Sequence, residues 1–151
     1  PSSYITSKKI INELNKIKFP ESIKFIVRQH PFTKQKLILN NNFSESYKNL
    51  YDEILDINLI ICNYTSAALE LLSLGINLIY FNPSSNLDLI SIPKSINENI
   101  WKLCYNNNSL KFEIMNFYTK KISIDQSISS KIISNYFNQP STKNILEFLE
   151  L

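Results

Sequence analysis

In the first 55 residues, the spacing of apolar and polar positions is helical in two segments and strand-like in the segment between them. Residues 4–18 place apolar side chains three and four positions apart, as on one face of a helix, and Pro20 ends the pattern. Residues 23–28 alternate and are rich in β-branched and aromatic side chains, which predicts a strand leading to His30. Residues 46–55 return to helical spacing. This part therefore predicts a helix, a strand and a second helix.

The middle of the chain predicts a strand, a helix and a strand in succession. Residues 57–62 are nearly all apolar, which is typical of a strand buried on both faces of a parallel sheet. A helix is expected over about 66–74, ended by Gly75, the only glycine, in the left-handed conformation. Residues 77–81 predict another buried strand. Together these elements form a β–α–β unit.

The rest of the chain has weaker patterns. A strand is expected at 87–92, an irregular stretch around Trp101, and loops at the asparagine runs 40–42 and 106–108. Three further helices are expected, near residues 110–121, 126–138 and 142–151. The alternation of helices and strands predicts the α/β class, with a Rossmann-like, doubly wound parallel sheet in a single domain over residues 1–151.

Composition agrees with one globular domain and excludes several functions. With 151 residues, 44% hydrophobic and 19% charged, the chain is neither disordered nor fibrous. The net charge of +3 is spread along the sequence, whereas nucleic-acid-binding proteins usually gather basic residues on one face. We therefore expect no nucleic-acid partner.

The spacing of the cysteines indicates whether a metal site is present, and the length of the apolar stretches indicates whether the chain spans a membrane. Cys62 and Cys104 have no CxxC or Cys/His spacing, and one histidine does not complete a zinc site, so we expect no metal, no cofactor and two free thiols. No stretch is long and apolar enough to predict a transmembrane segment, and no signal peptide is apparent. We expect a cytoplasmic protein, either free or peripherally at the inner membrane surface. The start at Pro1 suggests a piece of a longer chain.

Polar segments follow the predicted strands. They contain His30 and Pro31, then Asn63, Thr65 and Ser66. In an open parallel sheet these segments meet at one edge, where ligands bind. Hydroxyl groups and main-chain N–H groups at the start of a helix suit a phosphate. Taken alone, however, the pair is more simply explained by Thr65 or Ser66 capping its own helix.

Two further charged residues, Glu70 and Lys34, complete the candidate site. Glu70, one turn into the predicted helix, is either an acceptor for a ribose hydroxyl or an ordinary exposed glutamate. Lys34 is a candidate for a second phosphate contact, whereas Arg28 suits a structural role. His30 is suited to donate to a phosphate oxygen or to carry a proton near neutral pH.

Several nucleotide-binding and hydrolase motifs are absent. The chain has no GxGxxG and no GxxxxGK[ST], which argues against a dinucleotide oxidoreductase and a P-loop enzyme. It also has no GxSxG, which argues against an α/β-hydrolase.

The stretch DINLIICNYTSAALELLSLGINLIYFNP, together with His30 and Pro31 upstream, resembles the nucleotide-donor half of GT-B-fold transferases. It is similar to the bacterial surface-polysaccharide branch, which includes sialyltransferases and Kdo transferases that use CMP-sugars, and the CDP-glycerol glycerophosphotransferases. The resemblance covers roughly residues 22–83. It implies a nucleotide-sugar donor as ligand and a missing N-terminal domain of the same chain as partner.

The resemblance also implies roles for individual residues. His30 and the pair Thr65 and Ser66 would hold the donor phosphate, and Glu70 would lie near the nucleotide sugar. Asn63 stands where the polyol-phosphate branch often has an aspartate. Stabilisation of the charge that develops on the leaving phosphate would be electrostatic. Since the base and the acceptor site usually come from the other half, we expect weak nucleotide binding and little or no turnover by this chain.

Three alternatives stay open at this point. The chain could be a CDP-polyol phosphotransferase domain or a nucleotide-sugar epimerase domain. It could also be a non-catalytic, Rossmann-like module that serves in assembly.

Overall fold

The chain is an α/β protein in which helices alternate with short parallel strands. The computed structural model describes residues 2–28, 38–48, 50–63, 67–83 and 92–137. The helices are α1 (Ser2–Asn15), α2 (Leu50–Glu53), α3 (Ala68–Ser73), α4 (Asn107–Lys120) and α5 (Gln126–Tyr136), and a 3-10 turn (Ile54–Asp56) follows α2. The strands are β1 (Phe25–Arg28), β2 (Phe43–Ser46), β3 (Leu59–Cys62), β4 (Asn77–Phe81) and β5 (Trp101–Cys104).

The described strands form two small parallel sheets. In the first sheet, β1 pairs with β2, so that Phe25 lies opposite Phe43 and their rings stack at 4.7 Å. The second sheet has the order β3, β4, β5, with all three strands parallel. β4 is its central strand and is buried along its whole length.

The side chains of β4 alternate between two hydrophobic clusters, one on each face of the sheet. Leu78 and Tyr80 belong to a cluster that includes the buried side chains of α3 and α5. Ile79 and Phe81 belong to a second cluster with α1 and α4. Because helices cover both faces, each residue of β4 must be apolar or hydrogen-bonded, which explains its continuous apolar sequence.

The end of α3 confirms the predicted role of Gly75. Its φ is +85°, in the left-handed region. The N–H of Gly75 donates to the carbonyl of Leu72, and the N–H of Ile76 donates to the carbonyl of Leu71. These two hydrogen bonds form a Schellman motif and direct the chain into β4.

The helix predicted over 46–55 is confirmed only in its second half, over residues 50–55. Ser46 is the last residue of β2, and the α-helix spans only Leu50–Glu53 before the 3-10 turn. Pairing with β1 supplies hydrogen bonds to 43–46 that the local spacing does not reveal. The loop predicted at 40–42 is confirmed.

The prediction around Trp101 is also wrong. Residues 101–104 form β5, an ordered strand paired with β4. The second asparagine run does not form a loop either. Asn106 is the N-cap of α4 and accepts from the N–H of Ser109 at 2.9 Å, while Asn107 and Asn108 lie in the first turn. Asparagine is a favoured N-cap residue, and this preference is the signal that was missed.

Smaller corrections concern the β–α–β unit. β3 is half-buried along its length rather than buried on both faces. α3 begins at Ala68 rather than at Ser66, with Ala67 at the N-cap position and no side-chain cap. The predicted strand at 87–92, apart from Ile92, and the predicted helix at 142–151 lie outside the described residues. No helix in the described part of the chain is sufficiently long and apolar to traverse a bilayer.

Candidate functional site

Five of the seven predicted site residues lie outside the described part of the chain. These are His30, Pro31, Lys34, Thr65 and Ser66. Their expected proximity stays a prediction. The structure describes the elements that precede and follow them, together with the remaining two site residues.

Arg28 is the last residue of β1 and precedes the segment that contains His30. Its guanidinium Nη1 donates to the main-chain oxygen of Lys48 at 2.6 Å and lies 3.8 Å from a carboxylate oxygen of Glu53. The guanidinium thus connects the end of β1 to the β2–α2 connection and to α2. These contacts favour the structural role expected for Arg28.

Asn63 follows β3 directly. Its amide nitrogen donates to the main-chain oxygen of Phe81 at 2.9 Å, which joins the end of β3 to the end of β4. Its amide oxygen is buried and has no hydrogen-bond partner in the described part of the chain. An aspartate here would lack the donor that this contact requires.

Glu70 lies in the first turn of α3, half-buried. The hydroxyl of Tyr51, on α2, donates to Oε1 of the Glu70 carboxylate. This hydrogen bond to the carboxylate raises the pKa of the Tyr51 phenol, because the bond and the negative charge both favour the protonated hydroxyl. Glu70 is therefore a fixed carboxylate rather than a freely rotating surface glutamate.

The carboxyl ends of the three strands of the second sheet lie at one edge. The register places Cys62 opposite Tyr80 and Phe81 opposite Cys104. The N–H of Asn82 donates to the carbonyl of Cys104 at 2.8 Å and extends the pairing of β4 and β5 past their last residues. Helix α3 starts beyond the end of β3, so Glu70 lies on the side of this edge.

An open cleft of about 320 Å³ lies at the ends of β4 and β5. Its walls come from α1, from the second residue after β4, from the residue after β5, and from the N-cap and first turn of α4. The lining residues are Lys9, Glu13, Pro83, Tyr105, Asn106, Asn107 and Asn108. Except for Pro83 these are charged or hydrogen-bonding residues. The local sequence pattern does not reveal this cleft, because the cleft depends on β5 and on the N-cap of α4, and neither is predicted from the sequence.

Both oxygens of the Glu13 carboxylate in this cleft accept a hydrogen bond. Glu13 accepts from Lys16 at 2.7 Å and from the amide of Asn107, also at 2.7 Å. These hydrogen bonds and the charge of Lys16 lower the pKa of the Glu13 carboxyl. Glu13 therefore joins α1 to the first turn of α4. Within the described ranges, no three His, Cys, Asp or Glu side chains gather as metal ligands.

The chain gives no match to a protein-family model, to a curated protein or to a solved structure. Residues and geometry alone therefore support the function proposed for it.

Proposed function

We propose that the chain is the nucleotide-sugar-binding domain of a glycosyltransferase. In this proposal the two small sheets belong to one Rossmann-like, doubly wound half of a GT-B fold, and a domain elsewhere in the full protein supplies the acceptor site and the base. The donor is a nucleotide-activated sugar, CMP-linked in our preferred version, and the product is a cell-surface polysaccharide.

One observation carries the proposal: the carboxyl ends of β3, β4 and β5 share an edge, and Asn63 and Glu70 lie there on either side of residues 64–66. Open parallel sheets bind ligands at this edge. The helices on both faces of the sheet are also those of a Rossmann-like arrangement. The cleft between α1 and α4 adds space at the ends of the strands.

The proposal divides the donor between three groups of residues. His30 and the hydroxyl groups of Thr65 and Ser66 bind the phosphate, with Lys34 as a second cationic contact. The proposal gives the dipole of α3 no part in binding the phosphate, because α3 has only six residues and begins after this pair. Glu70 accepts a hydrogen bond from a ribose hydroxyl.

The identity of residue 63 favours the CMP-linked sugar over a CDP-polyol as the donor, because the polyol-phosphate branch often has an aspartate where this chain has Asn63. Its amide nitrogen is used by the main chain of Phe81, so the residue holds the two strand ends in place. An aspartate in that position would add a negative charge beside the phosphate, whereas the amide of Asn63 adds none.

Backbone NMR during titration with CMP and CDP tests this function. We expect weak binding at millimolar nucleotide, with chemical-shift changes at His30 and across residues 65–70. Ser66→Ala should weaken binding and leave the fold intact. Ser130→Ala is the matched control, since Ser130 is an exposed residue of α5.

Two results would reject the proposal. No shift at millimolar nucleotide would favour the non-catalytic assembly module. A Ser66→Ala variant that unfolds would show that the hydroxyl is structural.

A further inference from the structure

The contact between Tyr51 and Glu70 joins the first turns of two helices, α2 and α3. α2 follows the carboxyl end of β2, and α3 follows the carboxyl end of β3. The residues are 19 positions apart in sequence, so their contact is tertiary. It therefore fixes the Glu70 carboxylate from outside its own helix.

The carboxylate keeps an acceptor available. The Tyr51 hydroxyl occupies Oε1, and no other side chain in the described part of the protein donates to the Glu70 carboxylate. A carboxylate has about four lone-pair sites on its two oxygens. Oε2 can therefore accept a hydrogen bond from a ligand while Oε1 stays bound to Tyr51.

The charges nearby are consistent with a carboxylate that binds hydroxyl groups. The acidic side chain of Glu53, also on α2, is paired with Arg28. The two ion pairs in the described ranges, Arg28 with Glu53 and Lys16 with Glu13, do not include Glu70. Among the residues that the structure describes, no cation is paired with Glu70, so its carboxylate is a strong acceptor for a neutral donor.

Both side chains can be reached by a ligand. Tyr51 is 52% exposed, and Glu70 is half-buried. A neutral diol suits such a position better than an anion, since the carboxylate would repel a second negative charge.

We infer that Tyr51 is a positioning residue that holds Glu70 for hydrogen bonding to the ribose hydroxyls of the nucleotide. This inference rests on the proposed function and adds a selectivity to it: the site distinguishes ribonucleotides from nucleotides without the 2′ and 3′ hydroxyls.

The test compares the affinities of the whole chain for CMP and for 2′,3′-dideoxy-CMP. The unmodified protein should bind CMP more tightly. Tyr51→Phe should weaken CMP binding by about 2- to 10-fold, the equivalent of one hydrogen bond, and leave dideoxy-CMP binding unchanged. Glu70→Gln should do the same, and the double variant should lose no more than Glu70→Gln alone.

Tyr47→Phe is the matched control. Tyr47 also hydrogen-bonds a glutamate, Glu45, but that pair does not include Glu70. This variant should bind both nucleotides as the unmodified protein does.

The outcomes separate the inference from the proposed function. If the unmodified protein binds neither nucleotide, both fail. If it prefers CMP but Tyr51→Phe has no effect, or weakens both nucleotides equally, the positioning role is wrong and the donor site stands. Equal binding of CMP and dideoxy-CMP by the unmodified protein also overturns the inference.

Discussion

The side-chain amide of Asn63 donates to the main-chain oxygen of Phe81 at 2.9 Å. This contact joins β3 to β4 where the two strands end, beyond the last paired residues of the ladder. It fixes the start of the segment that leads to α3. The geometry of the candidate site therefore depends on a side chain that is structural in its described contact.

Asn63→Asp should destabilise the protein. The introduced carboxylate has no hydrogen to donate, so the Phe81 carbonyl loses its partner, and we expect a loss of about 1–3 kcal/mol in the free energy of unfolding at pH 7. The difference should narrow in acid, where the protonated carboxyl donates again. Urea denaturation at several pH values measures both effects.

Asn12→Asp is the control for this substitution, since Asn12 is exposed on α1. Its effect should stay within about 0.5 kcal/mol. Equal stability of the Asn63→Asp variant and the unmodified protein would show that the contact contributes nothing.

Gly75→Ala should cost stability through the backbone alone. The φ of Gly75 is +85°, and a Cβ atom built there meets nothing within 4 Å. We expect a loss of about 1–2 kcal/mol in the free energy of unfolding, with an unchanged urea m-value. Gly75→Asn should lose less, because asparagine tolerates the left-handed region better. A larger loss from asparagine than from alanine would contradict this explanation.

The sequence predicted best those elements whose pattern is local. β4 was predicted with its observed bounds, because a continuous apolar run follows Gly75 and ends before Asn82 and Pro83. α4 and α5 were predicted to within a few residues from their helical spacing. In these segments local propensity and packing favour the same conformation.

The missed elements depend on partners distant in sequence. The short, largely polar strand β2 is ordered by pairing with β1, and β5 by pairing with β4. The contact made by Glu70 in the candidate site likewise depends on a residue that is distant in sequence. The sequence indicated Glu70 as a site residue. Its contact with Tyr51, however, requires α2 and α3 to pack side by side, which no local pattern encodes.

The cap of α5 predicts a dependence of stability on pH. The carboxylate of Asp125 accepts from the N–H of Ser127 at 2.7 Å, and this hydrogen bond lowers its pKa from the ordinary value of 3.8. A lowered native pKa means that the ionised cap stabilises the fold above the unfolded-state pKa and that this contribution is lost as the pH falls through the native pKa.

Asp125→Ala should therefore lower the urea midpoint at neutral pH, and its difference from the unmodified protein should shrink between pH 5 and pH 3. Asp125→Asn keeps a capping oxygen that does not titrate, so it should remove the pH dependence with a smaller loss at pH 7. A difference that stays constant down to pH 3 would show that the charge of the cap is unimportant.

The two thiols should be unreactive in the native protein. Burial raises the pKa of Cys62 to about 12 and that of Cys104 to about 11, and the Cys104 side chain is 1% exposed. At pH 8 only about one thiol in a thousand is a thiolate at a pKa of 11, compared with about one in ten at the ordinary value of 9.0. Alkylation by iodoacetamide, followed by mass spectrometry, should thus be far slower in buffer than in concentrated urea. The single variants Cys62→Ser and Cys104→Ser assign the modified residue.

Rapid alkylation of Cys104 under native conditions would contradict this expectation. It would mean that β5 separates from β4 without global unfolding. The carboxyl edge of the sheet would then not be a rigid platform for a ligand.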